Sequence, residues 1–294
     1  MKKIDIVAAC SDMGVHINGS NLAPEILINN INVSNKNKIK NIKKIFKNNY
    51  YTKELEIENK KKNIKAVNEF NSKLYYEILN TVNNDYFPLT LGGDHSIAIA
   101  STLASIKKHN NLGIIWFDAH GDFNTFKTTT SGNIHGLPFA ALTNFEKTLL
   151  TDFHNGNYYN PKNAVLVGAS DIDIPYELEN LKKAGVTIFT AEDIKTTGTD
   201  IIYKKAFEIA SKGTNGIHIS YDIDVIDPSK APGVSIPTKN GINLEDAYIF
   251  VDYIIKNKEK IKSLDLVEFN PLTDIDKKTE KIASHILNTL IENI

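Results

Sequence analysis

The feature that most restricts the fold of this 294-residue chain is the spacing of its short apolar runs. Residues 4–9, 86–91, 113–118, 164–168, 186–189, 216–222 and 263–267 are almost continuously apolar and too short for buried helices. Runs of that length, rich in Val, Ile and aromatic residues, read as strands buried on both faces. Helical periodicity fills the intervals, around residues 63–82, 96–108, 199–211, 244–256 and 277–291. Strand–helix alternation with continuous strands predicts an α/β fold, a mainly parallel sheet covered by helices on both faces. No Ser/Gly-rich linker divides the chain, so residues 1–294 are expected to form a single domain. Residues 35–62, rich in Lys and Asn and weakly periodic, are expected to be a solvated helix or loop and carry no functional signal.

Several function classes fall away at once. No apolar run approaches the ~18 residues a membrane span needs. A formal net charge of −1 provides no footprint for nucleic acid or for an anionic membrane surface. Cys10 is the only cysteine, which excludes a disulfide framework and thiolate-rich zinc sites. Asp5 and Asp12 interrupt the first apolar stretch, so it reads as a strand rather than a leader, and the cytoplasm is the expected location. All 34 basic residues are lysine. Without arginine, an anionic ligand must be held by lysine, hydroxyls, amides or backbone N–H groups, because no guanidinium fork exists.

Open parallel sheets bind ligands in the crevice at the carboxyl ends of their strands. Three such places carry chemistry-bearing residues. Gly92-Gly93-Asp94-His95-Ser96 follows one strand, and its glycines permit the tight turn that leaves His95 at the sheet's mouth. Asp118-Ala119-His120-Gly121-Asp122 follows the next, and alternation along an extended segment aims Asp118, His120 and Asp122 at one point. Ser220-Tyr221-Asp222-Ile223-Asp224 ends a third, with Asp222 and Asp224 converging in the same way. Singly, each is an ordinary loop or cap. Together they would crowd ionisable groups into one crevice at a cost of several kcal/mol unless a cation balanced them. Four carboxylates and two imidazoles form a hard, oxygen-rich set that suits two divalent ions such as Mn²⁺ better than tetrahedral zinc. A pair of ions ~3.5–4 Å apart acidifies a water they share, so the implied chemistry is metal-assisted hydrolysis.

These motifs, with Asp227-Pro228 and Glu268-Phe269-Asn270-Pro271, resemble the ureohydrolase family over residues 87–271. The resemblance implies a three-layer α/β/α fold around about eight strands, two manganese ions per subunit, and assembly as a homo-trimer or hexamer. It implies that His95, Asp118, Asp122 and Asp222 hold one manganese and that Asp118, His120, Asp222 and Asp224 hold the other, with Asp118 and Asp222 bridging. His135 matches the family's proton shuttle and Glu268 the carboxylate that pairs with the guanidinium; with the ligand Asp122 they make up the expected catalytic set. Asn124 and the segment 128–136 resemble the substrate loop of the arginine-cleaving branch, whose α-carboxylate contacts fall at Asn124, Ser131 and Asn133. Asp173 matches the acceptor of the α-ammonium. The implied function is hydrolysis of L-arginine, a small-molecule guanidino substrate, to L-ornithine and urea. The alternatives keep the same metal site: an agmatinase, guanidinobutyrase or formimidoylglutamase, or a catalytically silent family member. The chain departs from the family pattern in its N-terminal segment, at Ser170 and Ile236, and at Glu245-Asp246. His16, His109, His154 and His285 have no partner in the motifs, and His218 reads as a core group behind Asp222.

Elemental analysis of manganese-loaded protein should return two metals per chain. Asp118→Ala or Asp222→Ala should be the most damaging single changes, each removing a ligand from both ions. One metal or none would sink this reading.

Overall fold

All seven apolar runs become strands, and the chain adds an eighth that its composition conceals. The computed structural model describes residues 3–47 and 63–294. Its strands are β1 (Ile4–Cys10), β2 (Ile39–Phe46), β3 (Phe87–Gly92), β4 (Gly113–Phe117), β5 (Ala164–Ala169), β6 (Thr187–Thr190), β7 (Ile217–Asp222) and β8 (Ile261–Val267). They form one sheet in the order β2-β1-β3-β8-β7-β4-β5-β6, with every neighbouring pair parallel.

The expectation of a solvated helix or loop over residues 35–62 fails at residues 39–46, which form β2. Residues 35–38 end a 3-10 helix (Val33–Lys38), and residues 48–62 lie outside the described residues. Among the described residues β2 pairs only with β1, at the sheet edge, and its side chains alternate between half-buried and exposed. Lysines on such an edge block further strand addition, so a composition that reads as solvated loop also suits an edge strand.

Helices cover both faces. α1 (Ala23–Asn29), α7 (Thr199–Ser211), α8 (Leu244–Lys256) and α9 (Lys278–Asn293) share one apolar layer with Ile6, Leu89, Phe117 and Ile219. α2 (Ile64–Asn83), α3 (Ala98–His109) and α4 (Pro138–Leu142) share the opposite layer with Val7, Ile114, Trp116 and Leu166. Alternate residues of each strand thus supply the two cores, as the two-residue strand period requires. In α2 the buried positions Val67, Phe70, Leu74 and Ile78 recur every three or four residues, which seats one stripe on the sheet. α5 (Tyr176–Ala184) and α6 (Ala191–Thr197) are short, and α6 opens on a capping box between Thr190 and Asp193. Cys10 is buried, which pushes its thiol up to about 11. No described helix is long and apolar enough to cross a membrane.

The strand order determines where a ligand can sit. After β3 the chain crosses to β4 and leaves two positions that β7 and β8 fill later. Connections leave the central strands in opposite directions there, which opens a crevice at their carboxyl ends. At its edge Gly93 runs against the end of β1: a Cβ there would lie 1.6 Å from the Ser11 carbonyl oxygen. Gly93→Ala should therefore cost about 3 kcal/mol by overpacking. Chemical denaturation measures this, and a loss under ~1 kcal/mol would show that the turn can relax.

Candidate functional site

The polar motifs end five adjacent strands. His95 follows β3, Glu268 follows β8, Asp222 and Asp224 end β7, Asp118 to Asp122 follow β4, and Asp171 to Asp173 follow β5. Local hydrogen bonds shape each turn. Asp94 accepts from Ser96 N at 2.9 Å and caps the 3-10 turn that starts at His95. Asp118 Oδ1 accepts from His120 N at 2.7 Å, while Trp116 Nε1 donates to Asp118 Oδ2 at 2.9 Å. Asp222 Oδ1 likewise accepts from Asp224 N at 2.7 Å. Asp118 thus commits both oxygens, and Asp222 one, to its own turn or to a neighbour, which holds each carboxylate in a fixed direction. Asp122 and Glu268 adopt positive φ values of 47° and 66°, a backbone state that costs non-glycine residues about 1–3 kcal/mol.

The expected ligands meet. His95 Nδ1 lies 3.0 Å from Asp118 Oδ2, 3.1 Å from Asp122 Oδ2 and 3.0 Å from Asp222 Oδ2. His120 Nδ1 lies 3.0 Å from Asp224 Oδ2 and 3.5 Å from Asp118 Oδ1. Two overlapping groups have ligand atoms close enough to share an ion: His95 with Asp118 and Asp122, and Asp118 with His120 and Asp224. Asp118 belongs to both, and Asp222 adjoins the first through His95.

Burial makes this cluster unfavourable as it stands. Desolvation, then the neighbouring carboxylates Asp224 and Asp118, push Asp222 well above the usual carboxylate range. Asp122 is pushed up to about 6 by desolvation and by Asp118. Burial opposes a charged His95, yet the surrounding carboxylates prevail and hold it well above its ordinary value. His95 Nδ1 and Asp224 Oδ1 nonetheless lack a directed hydrogen bond among the described residues. Unsatisfied buried donors and acceptors inside an acidic cluster fit divalent cations, which neutralise several carboxylates at once and accept the imidazole lone pairs.

Behind the cluster lies a buried polar column. His218 and Ser220 on β7 stand opposite Ser263 and Asp265 on β8. Ser220 Oγ donates to Asp265 Oδ1 at 2.5 Å, so at its 2.8 Å contact with His95 Nε2 it accepts. That fixes the His95 proton on Nε2 and turns the Nδ1 lone pair toward the cluster. Asp265 also accepts from Ser101 Oγ at 2.5 Å and pairs with His218 Nε2 at 2.9 Å. The His95 ring stacks on Trp116 at 4.0 Å between centroids, and Trp116 stacks on Phe139 at 4.9 Å. His218 therefore sits in the core, as expected.

A cavity of about 240 Å³ opens over the cluster, lined in part by Asn124, Ser131, Asn133, His135 and Asp173. Glu268 Oε1 accepts from His95 N at 2.7 Å and meets His135 Nδ1 at 3.0 Å, while Oε2 is buried with no partner among the described residues. Asn124 Nδ2 donates to Asp173 Oδ2 at 2.9 Å, and Ser131 Oγ accepts from Asn133 N at 3.2 Å.

Matched against known sequences, residues 2–292 fit the model of the Arginase family. The chain belongs to the arginase family. It is 38% identical over 233 residues to an arginase of Bacillus caldovelox, covering 78% of this chain and 76% of that one. The solved structure of a Bacillus caldovelox arginase superposes with a TM-score of 0.92 at 31% identity, covering 99% of this chain and 98% of that chain. An Entamoeba histolytica arginase in complex with L-ornithine superposes at 0.88 with 30% identity, covering 98% of each chain. Membership makes the chain a hydrolase of the ureohydrolase type, and the eight-stranded parallel sheet is the sheet that the resemblance implied.

Sequence reasoning overlooked two residues of this arginase-family site. Glu177 is buried, accepts from Phe123 N at 2.8 Å and from Asp173 N at 2.9 Å, and is pushed up to about 8 by burial. It ties the Asp122 turn to the Asp173 loop, but in sequence it reads only as a helix-first-turn acid. His16 does have a partner in the motifs: its Nδ1 lies 2.9 Å from Asn133 Nδ2. His109, His154 and His285 stay outside the cavity lining.

Ser220→Ala removes the acceptor that fixes the His95 tautomer. Manganese affinity, measured by calorimetry on metal-free protein, should fall about 10–100-fold, as for other groups that orient a metal-ligating histidine. Unchanged affinity would mean that the ring is held by stacking alone.

Proposed function

We propose that this chain is a dimanganese arginase, cleaving L-arginine to L-ornithine and urea. The observation that carries the proposal is the pair of overlapping His/Asp groups sharing Asp118, beside a buried and unpartnered Glu268 Oε2. We assign His95, Asp118, His120, Asp122, Asp222 and Asp224 as ligands of two Mn²⁺ ions. When bound, such ions act as Lewis acids and acidify a water for attack on the guanidinium carbon.

The remaining work falls to the chain's own side chains. Glu268 Oε2 accepts N–H bonds from the planar guanidinium and orients it over the cluster. His135 is partly exposed; burial opposes its protonation, but the Glu268 carboxylate holds it above its ordinary range. A protonated imidazole at that place can hand a proton to the amine nitrogen as the carbon–nitrogen bond breaks, and regain one from solvent. At the far end Asn133 and Ser131 face the α-carboxylate and Asp173 the α-ammonium. Asn124, assigned with Asn133 and Ser131 to the α-carboxylate, donates to Asp173 and accepts from Thr128 Oγ1 at 2.9 Å. We read the chain as one domain, acting in the cytoplasm as a homo-trimer or hexamer.

Agmatinase, guanidinobutyrase and formimidoylglutamase activities would need the same metal cluster, so the substrate end decides between them. Agmatine lacks the α-carboxylate and would leave the amide and hydroxyl groups there unpaired. Each such loss costs about 1–3 kcal/mol, so two or three give a preference of roughly a hundredfold or more. Urea release from both substrates at equal concentration, with Mn²⁺ present, measures it. Equal hydrolysis of agmatine would overturn the arginine assignment and leave the metal assignment standing.

A further inference from the structure

The cavity over the cluster is strongly acidic. Asp122, Asp222 and Asp224 line its floor, and Asp171, Asp173 and Glu177 line its side. Two divalent ions held by the assigned ligands would offset the floor carboxylates, at the guanidinium end of the substrate. At the carboxylate end the groups already assigned, Ser131 and Asn133, are neutral. Among the described residues no lysine lines the cavity, and the chain has no arginine. Four imidazoles line it: His95 and His120 face the cluster, His135 pairs with Glu268, and His16 sits against Asn133.

His16 is exposed, but the segment that carries it is fixed. Gly14 N donates to Asp94 Oδ2 at 3.0 Å, and Gly14 O accepts from His135 N at 3.1 Å. Asn63 Nδ2 donates to Met13 O at 3.0 Å. A Cβ on Gly14 would lie 2.3 Å from Asp94 Oδ1, so the close approach needs glycine. The backbone two residues before His16 is thereby tied to the turns that carry His95 and His135.

The contact with Asn133 has a definite chemistry. An amide NH₂ can only donate, so His16 Nδ1 accepts in this arrangement and the imidazole carries its proton on Nε2. Rotating the amide by half a turn would let a protonated His16 donate to Asn133 Oδ1, which turns the NH₂ group toward an anion in the cavity. Either way the ring orients the side chain that meets the carboxylate, and in the second state it adds a positive charge beside it. We propose that His16 is a specificity-determining residue for the carboxylate end of the substrate, acting directly and through Asn133. This rests on the assignment of Ser131 and Asn133 to that end.

The test compares the manganese-loaded enzyme with His16→Phe, which keeps a ring but no nitrogen, and His16→Lys, which restores a cation. For His16→Phe, kcat/KM for L-arginine should fall about tenfold more than for agmatine, with the loss in KM, as expected for one partly exposed charge-assisted hydrogen bond. His16→Lys should recover part of the arginine preference. A purely structural role would depress both substrates equally, and that result, or no change in their ratio, overturns the proposal. Calorimetric binding of L-ornithine and putrescine reads the same contact without turnover. Ornithine should weaken about tenfold in His16→Phe relative to putrescine. If the parent enzyme cleaves neither guanidino compound but shows this ornithine effect, the arginase assignment falls and the role of His16 stands. If ornithine binding is equal in parent and variant, His16 has no such role.

Discussion

The site depends on one electrostatic problem: four buried carboxylates lie within bonding reach of two imidazoles, the buried His95 and the half-buried His120. Desolvation alone disfavours every charged form there, and the carboxylates repel one another at short range. A fold can hold such a cluster only if its backbone is rigid and a counter-charge is supplied. The parallel sheet provides the rigidity, since the ligands sit at the ends of strands paired on both sides. The counter-charge is what the donor geometry calls for, with Asp118 common to two groups that each point at a shared centre.

Charge behind the cluster is arranged in the same sense. Asp265 is fully buried, and His218, Ser101 and Ser220 all direct donors at it. Burial would raise its carboxyl, but these partners prevail and hold it below the usual range. An anionic Asp265, reaching His95 through Ser220, strengthens the pull on the Nε2 proton and makes Nδ1 a better donor to a cation. The strand register makes this possible, because Ser220 stands opposite Asp265 and His218 opposite Ser263 on one face of the sheet. In most strands of this sheet that face is apolar, and here it is a relay.

Much of this was legible in the sequence because it depends on local periodicity. Apolar runs marked seven strands, and residues 199–211 and 244–256 became α7 and α8 with those bounds. The short helices α1, α4 and α6 span 7, 5 and 7 residues, too few for a repeating stripe to show. β2 was hidden by lysines that an edge strand tolerates and a central strand would not. The motifs that form the His/Asp cluster were legible because alternating acids at a strand's end have few other uses. Ser220 and His218 carried a weaker trace of the same kind, polar residues at alternate positions of an otherwise apolar strand. His16, Glu177 and the positive φ of Glu268 left no trace, since each gains meaning only from a partner distant in the chain.

The two ends of the site are built to different tolerances, and the difference follows from what each must hold. The groups of the cluster are placed by strand ends and, His120 apart, are buried, so a change at any of them disturbs several charges at once. Ser131, Asp173 and His16 are exposed and lie on loops. Ser131 meets Asn133, Asp173 meets Asn124, and His16 meets Asn133 from a segment anchored at Gly14, while the buried Glu177 ties the Asp173 loop to the Asp122 turn. A protein of this construction can alter which substrate end it accepts by changing loop residues at little cost to stability. Its hydrolytic centre stays intact, because the strength of that centre lies in the strand ends beneath.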